Sequence, residues 1–241
     1  MGEHNDAVPI LGCGIEGMRG IYGDAALVLS DLPSGETEAA FDNPPDLASF
    51  WGATWQALRP DGVAVLMASN LRFASAVIAS QPKAYRYDLI WHKTVATGFL
   101  NAKKRPLRAH EFVLVFTRKR ATYNVQMEQG FEPIHLTNPG GAPKSENYGA
   151  YRTLGLRSGA TDRYPRSVLR FNSIGQRDKV RMHPQQKPEP LLRWLVRTYS
   201  NPGDLVLDPF AGSGSTGRAA LAEGRRFIGW DSDVRFGKRA G

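Results

Sequence analysis

Residues 205–231 read LVLDPFAGSGSTGRAALAEGRRFIGWD. Four apolar-to-acidic residues, LVLD, have the length and composition of a buried strand. GSGSTG at 212–217 fits the spacing G-x-G-x-x-G and opens onto TGRAALAEG (216–224), a helix that stops at Gly224. RRFIGWD then supplies a second strand ending on Asp231. Glycines at this spacing allow a tight turn, a close approach of backbone to ligand, and close helix–strand packing. The start of the helix offers unpaired N–H groups, and Asp231 can accept hydrogen bonds from ribose hydroxyls. No lysine follows the glycines in the manner of a P-loop. The unit therefore predicts a nucleotide-type cofactor loop, placed ten residues before the end of the sequence.

Working outward, AALVLSD (25–31), GVAVLMAS (62–69), YRYDLIWHK (85–93), HEFVLVFTR (110–118) and DLVLD (204–208) read as strands. DLASFWGATWQALRP (46–60), LRFASAVIAS (71–80) and PEPLLRWLVRTYS (188–200) read as helices, the first stopping at Arg59–Pro60 and the last with proline near its start. Helices alternating with apolar strands predict an α/β fold: a mostly parallel sheet covered on both faces. From about Lys119 to Met182 the periodicity dissolves into Gly, Pro, Asn and Ser, interleaved with Tyr123, Phe131, Tyr148, Tyr151, Tyr164 and Phe171. Aromatics at that density argue against simple disorder, so the stretch reads as a functional insertion.

A chain of 241 residues with 41% hydrophobic composition is large enough for a full core. No apolar segment approaches membrane-spanning length, and MGEHNDAVPILG lacks the charge and apolar run of a signal peptide. The single cysteine, Cys13, excludes an internal disulfide and suits a reducing cytoplasm. The net charge of +8 is unevenly spread. Lys93 to Arg181 holds seventeen Lys and Arg against six Asp and Glu, while the remainder is mildly acidic. Such segregation predicts a face for a polyanion.

Two cofactors suit the glycine unit on spacing alone, a nicotinamide dinucleotide and S-adenosylmethionine. The wording DPFAGSGST (208–216) resembles the cofactor motif of amino-methyltransferases acting on DNA, in the β-ordered group whose catalytic motif precedes the cofactor motif. HPQQKP (183–188), GFLNAKKRPLRAHEFVLVF (98–116) and RYPRSVLRF (163–171) also resemble segments of that family, and SDLPSG (30–35) stands where it has Asp-Pro-Pro-Tyr or Asp-Leu-Pro-Tyr. The resemblance implies a circularly permuted, Rossmann-like methyltransferase fold. It implies S-adenosylmethionine held by Asp208, Pro209, Phe210, Ala211, Gly212, Ser213, Gly214, Ser215 and Asp231, with Lys187 nearby and Cys13 in the place of an adenine-contacting aspartate.

The same resemblance implies methylation of an exocyclic amine in DNA. Such an amine is planar, its lone pair delocalised into the ring, so the site must favour a more tetrahedral nitrogen by accepting its hydrogens. Asp31, where the first strand ends, is expected to accept one N–H, the backbone carbonyl of Leu32 the other, with Pro33 stiffening the loop. A turn cap is the plainer role for Asp31. The family stacks its flipped base on an aromatic where this chain has Ser34, a contact worth roughly 1–3 kcal/mol per base; Phe41, Phe73 and Trp91 are candidate replacements. DNPPD (42–46) reads as a turn before a helix. Cys13 without a His or metal partner reads as a buried structural cysteine, and His92 and His110 lack metal-ligand spacing, so no metal is expected. His183 reads as a loop-orienting residue.

Lys103, Lys104, Arg105 and Arg108, then Arg118, Lys119 and Arg120, are expected to meet DNA phosphates. Arg152, Arg157, Arg163 and Arg166, set among Tyr and Asn, suit reading of base edges. The expected division is a catalytic half (1–118), a target-recognition segment (119–182) and a cofactor half (183–241). Aspartate at the head of DLPS implies N6 of adenine as the target; N4 of cytosine presents the same geometry. Ser34 and Cys13 keep open a catalytically impaired DNA-binding relative. The resemblance further implies a site-specific, restriction–modification type of enzyme, with or without a nuclease partner, as a monomer or a homodimer. The short tail after Asp231, SDVRFGKRAG, implies truncation or support from elsewhere in the chain.

Overall fold

The computed structural model describes residues 7–36, 42–133, 159–173, 186–233 and 235–236. Phe41, Tyr148, Tyr151, Arg152, Arg157 and His183 lie outside the described residues. The elements run β1 (Ile10–Leu11), α1 (Gly14–Met18), β2 (Ala25–Asp31), α2 (Leu47–Ala57), β3 (Leu58–Ala68), α3 (Leu71–Ser80), β4 (Tyr85–Thr97), β5 (Arg108–Phe116), β6 (Val168–Phe171), α4 (Glu189–Tyr199), β7 (Leu205–Asp208), α5 (Ser215–Ala222) and β8 (Arg226–Asp231). They divide into two compact units, Val125–Arg166 and the remainder of the chain. Among the described residues no helix is long and apolar enough to cross a membrane.

The sheet lies in the larger unit, with order β1-β8-β7-β2-β3-β5-β4-β6. Only β5 runs antiparallel to its neighbours. Only a three-residue 3-10 turn, Phe99–Asn101, intervenes between β4 and β5, too short for a crossover, and so the step is antiparallel. The continuous apolar runs of β2 and β3 follow from burial on both faces. Val28, Leu66 and Leu114 pack with α1, α2 and α3 on one face. Leu27, Leu29, Val65 and Val115 pack with α4 and α5 on the other.

Two helices are fixed by short-range chemistry. Asp46 caps α2 by accepting from the Ser49 N–H at 2.9 Å, and Asn70 caps α3 through the Phe73 N–H at 2.8 Å. DNPPD is thus a turn into a helix, as its composition indicates. Helix α2 ends a residue earlier than Arg59–Pro60 suggests. Leu58 is already extended and opens β3, whose pairing with β2 slips between Ala25↔Leu58 and Leu27↔Val63. That bulge takes up Pro60 and Gly62. Among its described residues, the irregular stretch from Lys119 to Met182 contains one strand the sequence hides, β6, which adds to β4 in parallel.

Candidate active site

The chain leaves β2 toward β3 on one side and leaves β7 toward β8 on the other. Adjacent strands whose connections diverge open a crevice at their carboxyl ends, the usual ligand position in such sheets. Asp31 ends β2 and Asp208 ends β7, so both sit at this switch point. The crevice there is an open cleft of about 220 Å³. Asp31, Leu32, Pro33, Lys187, Cys13 and Asp231 line it, as do Asp208, Pro209, Phe210, Ala211, Gly212, Ser213 and Ser215. Gly214 stands just behind as the left-handed residue (φ +74°) that starts α5. Ser34 is half-buried beside the cleft.

Each side of the cleft is braced by a carboxylate. Asp208 is buried and accepts from the Ser30 hydroxyl at 2.6 Å and the Phe210 N–H at 3.1 Å. Burial pushes its carboxyl up from 3.8 to about 6, against the pull of those hydrogen bonds. Asp231 accepts from the N–H of Gly212 at 2.8 Å and of Asp233 at 2.8 Å, pinning the glycine loop to the end of β8. A carboxylate has about four lone-pair positions, so capacity remains on the cleft side. Gly212 has φ +51°, and a Cβ built on it would meet nothing within 4 Å, which leaves its backbone bare to a ligand. Gly14 has no such freedom: a Cβ there would fall 2.0 Å from the Pro209 carbonyl oxygen. Glycine at that position lets α1 close on the loop from above.

On the other side, Asp42 accepts from the N–H of Ser34 at 2.8 Å and of Gly35 at 3.0 Å. It fixes the turn that follows Asp31. The Ser34 hydroxyl is 2.9 Å from that of Ser69, which donates to Glu36. Position 34 is therefore tied into a polar cluster. Phe73 and Trp91 do not replace the aromatic expected there: Phe73 is a core residue of α3, and Trp91 is buried with its indole N–H on the Phe171 carbonyl.

Asp31 is not alone. Its carboxylate is hydrogen-bonded to Lys187, whose Nζ also lies 3.4 Å from Glu111. Glu111 in turn accepts from Lys93 at 3.1 Å. The result is a row of alternating charges, Asp31–Lys187–Glu111–Lys93, running from the cleft toward β5 and β4. Burial raises the Asp31 carboxyl, with Glu111 and Asp42 adding to the rise and Lys187 opposing it. Burial also opposes charge on Glu111, but the two ammonium groups win and hold its carboxyl below the usual 4.5. Burial disfavours a charged Lys187 as well; its two carboxylate neighbours overcome this and hold the ammonium above 10.5. Lys187 is thus a buried ion-pair partner rather than a surface lysine at a helix start.

Lys93 and Glu111 are the residues that sequence reasoning missed. Both stand in phase with buried neighbours on alternating strand positions, Leu89 and Trp91 for the one, Val113 and Val115 for the other. A charge on the core face of a strand is costly unless paired, and that parity was the available signal. Cys13 is exposed rather than buried, because it precedes α1 at the mouth of the cleft.

The cationic residues separate. Lys103, Lys104 and Arg105 are exposed in the β4–β5 connection. Arg108 is engaged by Glu36 at 3.0 Å and by the Ser69 carbonyl at 2.7 Å. In the smaller unit Arg163 donates to the carbonyls of Ala160 and Asp162 and lies over Phe131, while Arg166 is exposed.

A family described as DNA methylase, of the N6/N4 type, matches residues 41–238. DNA adenine methyltransferase YhdJ of Escherichia coli (strain K12) is 29% identical over 239 residues, covering 90% of this chain and 79% of that protein. Among solved structures, the M1.HpyAVI–SAM complex is similar with a TM-score of 0.60 at 22% identity, over 95% of this chain and 94% of its own. The cytosine-N4-specific PvuII DNA methyltransferase is similar with a TM-score of 0.63 at 16% identity, over 96% and 86%. At such identities the structural likeness is one of fold, and the fold is the α/β, mostly parallel arrangement read from the sequence. The family match spans most of the sequence, from the loop after Asp31 to beyond Asp231, and the chain belongs to the DNA methylases of the N6/N4 type.

Proposed function

We propose that the chain transfers the methyl group of S-adenosylmethionine to the exocyclic amine of a base in duplex DNA, N6 of adenine. One observation carries this reading: the aspartate closing β2 and the glycine loop after β7 line one cleft at the switch point of the sheet. The donor set suits the cofactor. Asp231 keeps acceptor capacity for ribose hydroxyls, the Gly212 backbone is uncovered, and the half-buried Phe210 ring offers an apolar wall. S-adenosylmethionine supplies an electrophilic methyl on a sulfonium.

Asp31 and the Leu32 carbonyl accept the two amine hydrogens and draw the nitrogen toward a tetrahedral shape, while Pro33 and Asp42 hold that loop. Lys187 shares Asp31 with the substrate. As the amine approaches, the ammonium keeps its second partner, Glu111, so it need not leave the site to free an acceptor on Asp31. No strong base is required, because the alkylated nitrogen loses its proton readily. Within this reading, residues 119–182 select the target. That segment contains the separate unit Val125–Arg166.

Incubation with radiolabelled S-adenosylmethionine and mixed-sequence duplex DNA, followed by nucleoside analysis, tests the proposal. Label in N6-methyladenine is the expected outcome, and label in N4-methylcytosine transfers the same chemistry to the other base. Retention of DNA without any label sinks catalysis. It favours the second reading, a DNA-binding relative without transferase activity, which the occupied Asp31 carboxylate and the hydrogen-bonded Ser34 motivate.

A further inference from the structure

Asp31, Met67, Val113 and Leu89 form one row across the sheet, read through the pairings β2–β3, β3–β5 and β4–β5. Strand β2 ends on that row, and β3 ends one residue past it. Strands β4 and β5 do not stop there. The ladder continues to Thr97↔Arg108, five residues beyond Val113. At about 3.4 Å per residue, those five residues of the β4–β5 arm span roughly 17 Å of strand past the row; β6 accompanies β4 as far as Lys93, and the register of the β4–β5 ladder shifts between His92 and Thr97. At strand spacings of about 4.8 Å, β5 lies roughly 10 Å and β4 roughly 14 Å to the side of β2, the strand that Asp31 ends.

The arm ends in a turn with its own order. Gly98 takes φ +92°, and Asn101, Ala102, Lys104 and Arg105 each donate a backbone hydrogen bond within the tip at 2.9–3.0 Å. Its base is tethered to the sheet through Arg108 on the Ser69 carbonyl at 2.7 Å. This ordered tip presents Phe99 at 81% exposure and Leu100 at 98%. Of the twelve large hydrophobic residues that are exposed among those described, four lie on this arm: Val95, Phe99, Leu100 and Leu107. Lys103, Lys104 and Arg105 follow directly, and among the described residues none of them has an acidic partner.

We propose that the β4–β5 tip is a wedge for duplex DNA. Phe99 and Leu100 enter the base stack where the target base leaves it, and Lys103, Lys104 and Arg105 hold the flanking phosphates. The inference rests on the reading of the chain as a DNA amino-methyltransferase, and it names the group that opens the duplex. Apolar side chains inserted between base steps unstack them, and cations beside the wedge favour the charged backbone over any apolar partner. A base in the stack must be extruded before its amine can reach a recessed carboxylate. Ser34 provides no aromatic surface to draw the base in, and the described candidates Phe73 and Trp91 are core residues. The chain therefore places its exposed apolar surface on the duplex side, where it fills the gap the base leaves behind.

The test is Phe99→Ala/Leu100→Ala, a pair of exposed positions whose truncation removes no core packing. Two measurements are made. The first is the change in linking number of a plasmid relaxed by a type I topoisomerase in the presence of the protein. The second is methyl transfer to native and to heat-denatured genomic DNA. Wild type is expected to alter the linking number and the variant is not. The ratio of transfer on native to denatured DNA is expected to fall about tenfold or more in the variant, reflecting one unstacked step. If wild type labels DNA while the variant matches it in both linking number and ratio, the wedge is overturned and the transferase reading stands. If neither labels DNA but only wild type alters the linking number, the transferase reading falls and the wedge stands. A variant that matches wild type on DNA but sediments as a smaller species overturns the wedge and assigns the tip to a contact with a second copy of the chain.

Discussion

Glu111→Gln removes one charge from the middle of the row that joins Asp31 to β5 and β4. The three inner side chains are well covered: Lys93 is 7% exposed, Lys187 10% and Glu111 11%. After the substitution Lys187 keeps Asp31, but Lys93 keeps only neutral partners, the Thr97 hydroxyl at 3.2 Å among them. One buried ammonium is left without a counter-charge. Breaking a buried pair in this way costs about 3–5 kcal/mol. The glutamine oxygen can still accept from Lys93, which places the expected loss near the lower end, about 3 kcal/mol. For a chain of this size that is a fall in Tm of roughly 6–12 °C. Urea midpoints at constant slope measure it. The pH dependence follows from the lowered carboxyl of folded Glu111. Its contribution is complete above the ordinary 4.5 and is lost as pH falls through the folded value, so wild type and variant should converge in acid. Adding Lys93→Met removes the orphaned charge from an otherwise apolar face and should restore most of the loss. A single variant within about 1 kcal/mol of wild type, or a double variant no more stable than the single, refutes the ion-pair account.

Three further outcomes are expected. Asp208 is an acid whose folded value is raised from 3.8 to about 6, so its burial is least costly below 3.8 and stability falls as pH rises through that window, by about 3 kcal/mol in all. Asp208→Asn should therefore be at least as stable as wild type at pH 7 and lose that advantage near pH 4; urea midpoints showing a variant weaker at pH 7 would count against burial as the dominant cause. Asp31→Ala should abolish methyl transfer while calorimetry finds S-adenosylmethionine still bound, and undiminished turnover would remove Asp31 from the chemistry. Ser34→Tyr should raise transfer to duplex DNA by supplying a stacking surface worth roughly 1–3 kcal/mol; an unchanged or lower rate would mean that the polar cluster with Ser69 matters more than stacking.

Much of the fold was legible because its central strands are apolar on both faces and two of its helices, α2 and α3, are capped by Asp46 and Asn70. Strand β2 and helix α3 fall on the residues their composition marks. The misses share one cause, which is that their signal is not local. Strand β6 is only four residues, Val-Leu-Arg-Phe, too short to show a period in a basic stretch, and it pairs along the open edge of β4. Strand β3 begins at Leu58 because a bulge absorbs Pro60 and Gly62, which alone read as a stop. The two loops of the cleft were readable from strand ends and glycine spacing. The charges beside it were not, since Lys187 and Glu111 are 76 positions apart and meet only through the fold. Cys13 was misplaced because a thiol's solvent exposure depends on the packing of Gly14 against Pro209, a tertiary contact.

The late position of β7 has a consequence during synthesis. Val28 in the middle of β2 is flanked by Ala64 on one side and Leu207 on the other. The first neighbour leaves the ribosome soon after β2; the second follows about 170 residues later. At roughly 5–20 residues per second, the nascent chain carries an unpaired, largely apolar strand edge for about 10–35 s. An edge of that kind invites pairing with other chains. Yield of this protein in cells should therefore respond to translation speed and to nascent-chain chaperones more strongly than its folded stability would suggest.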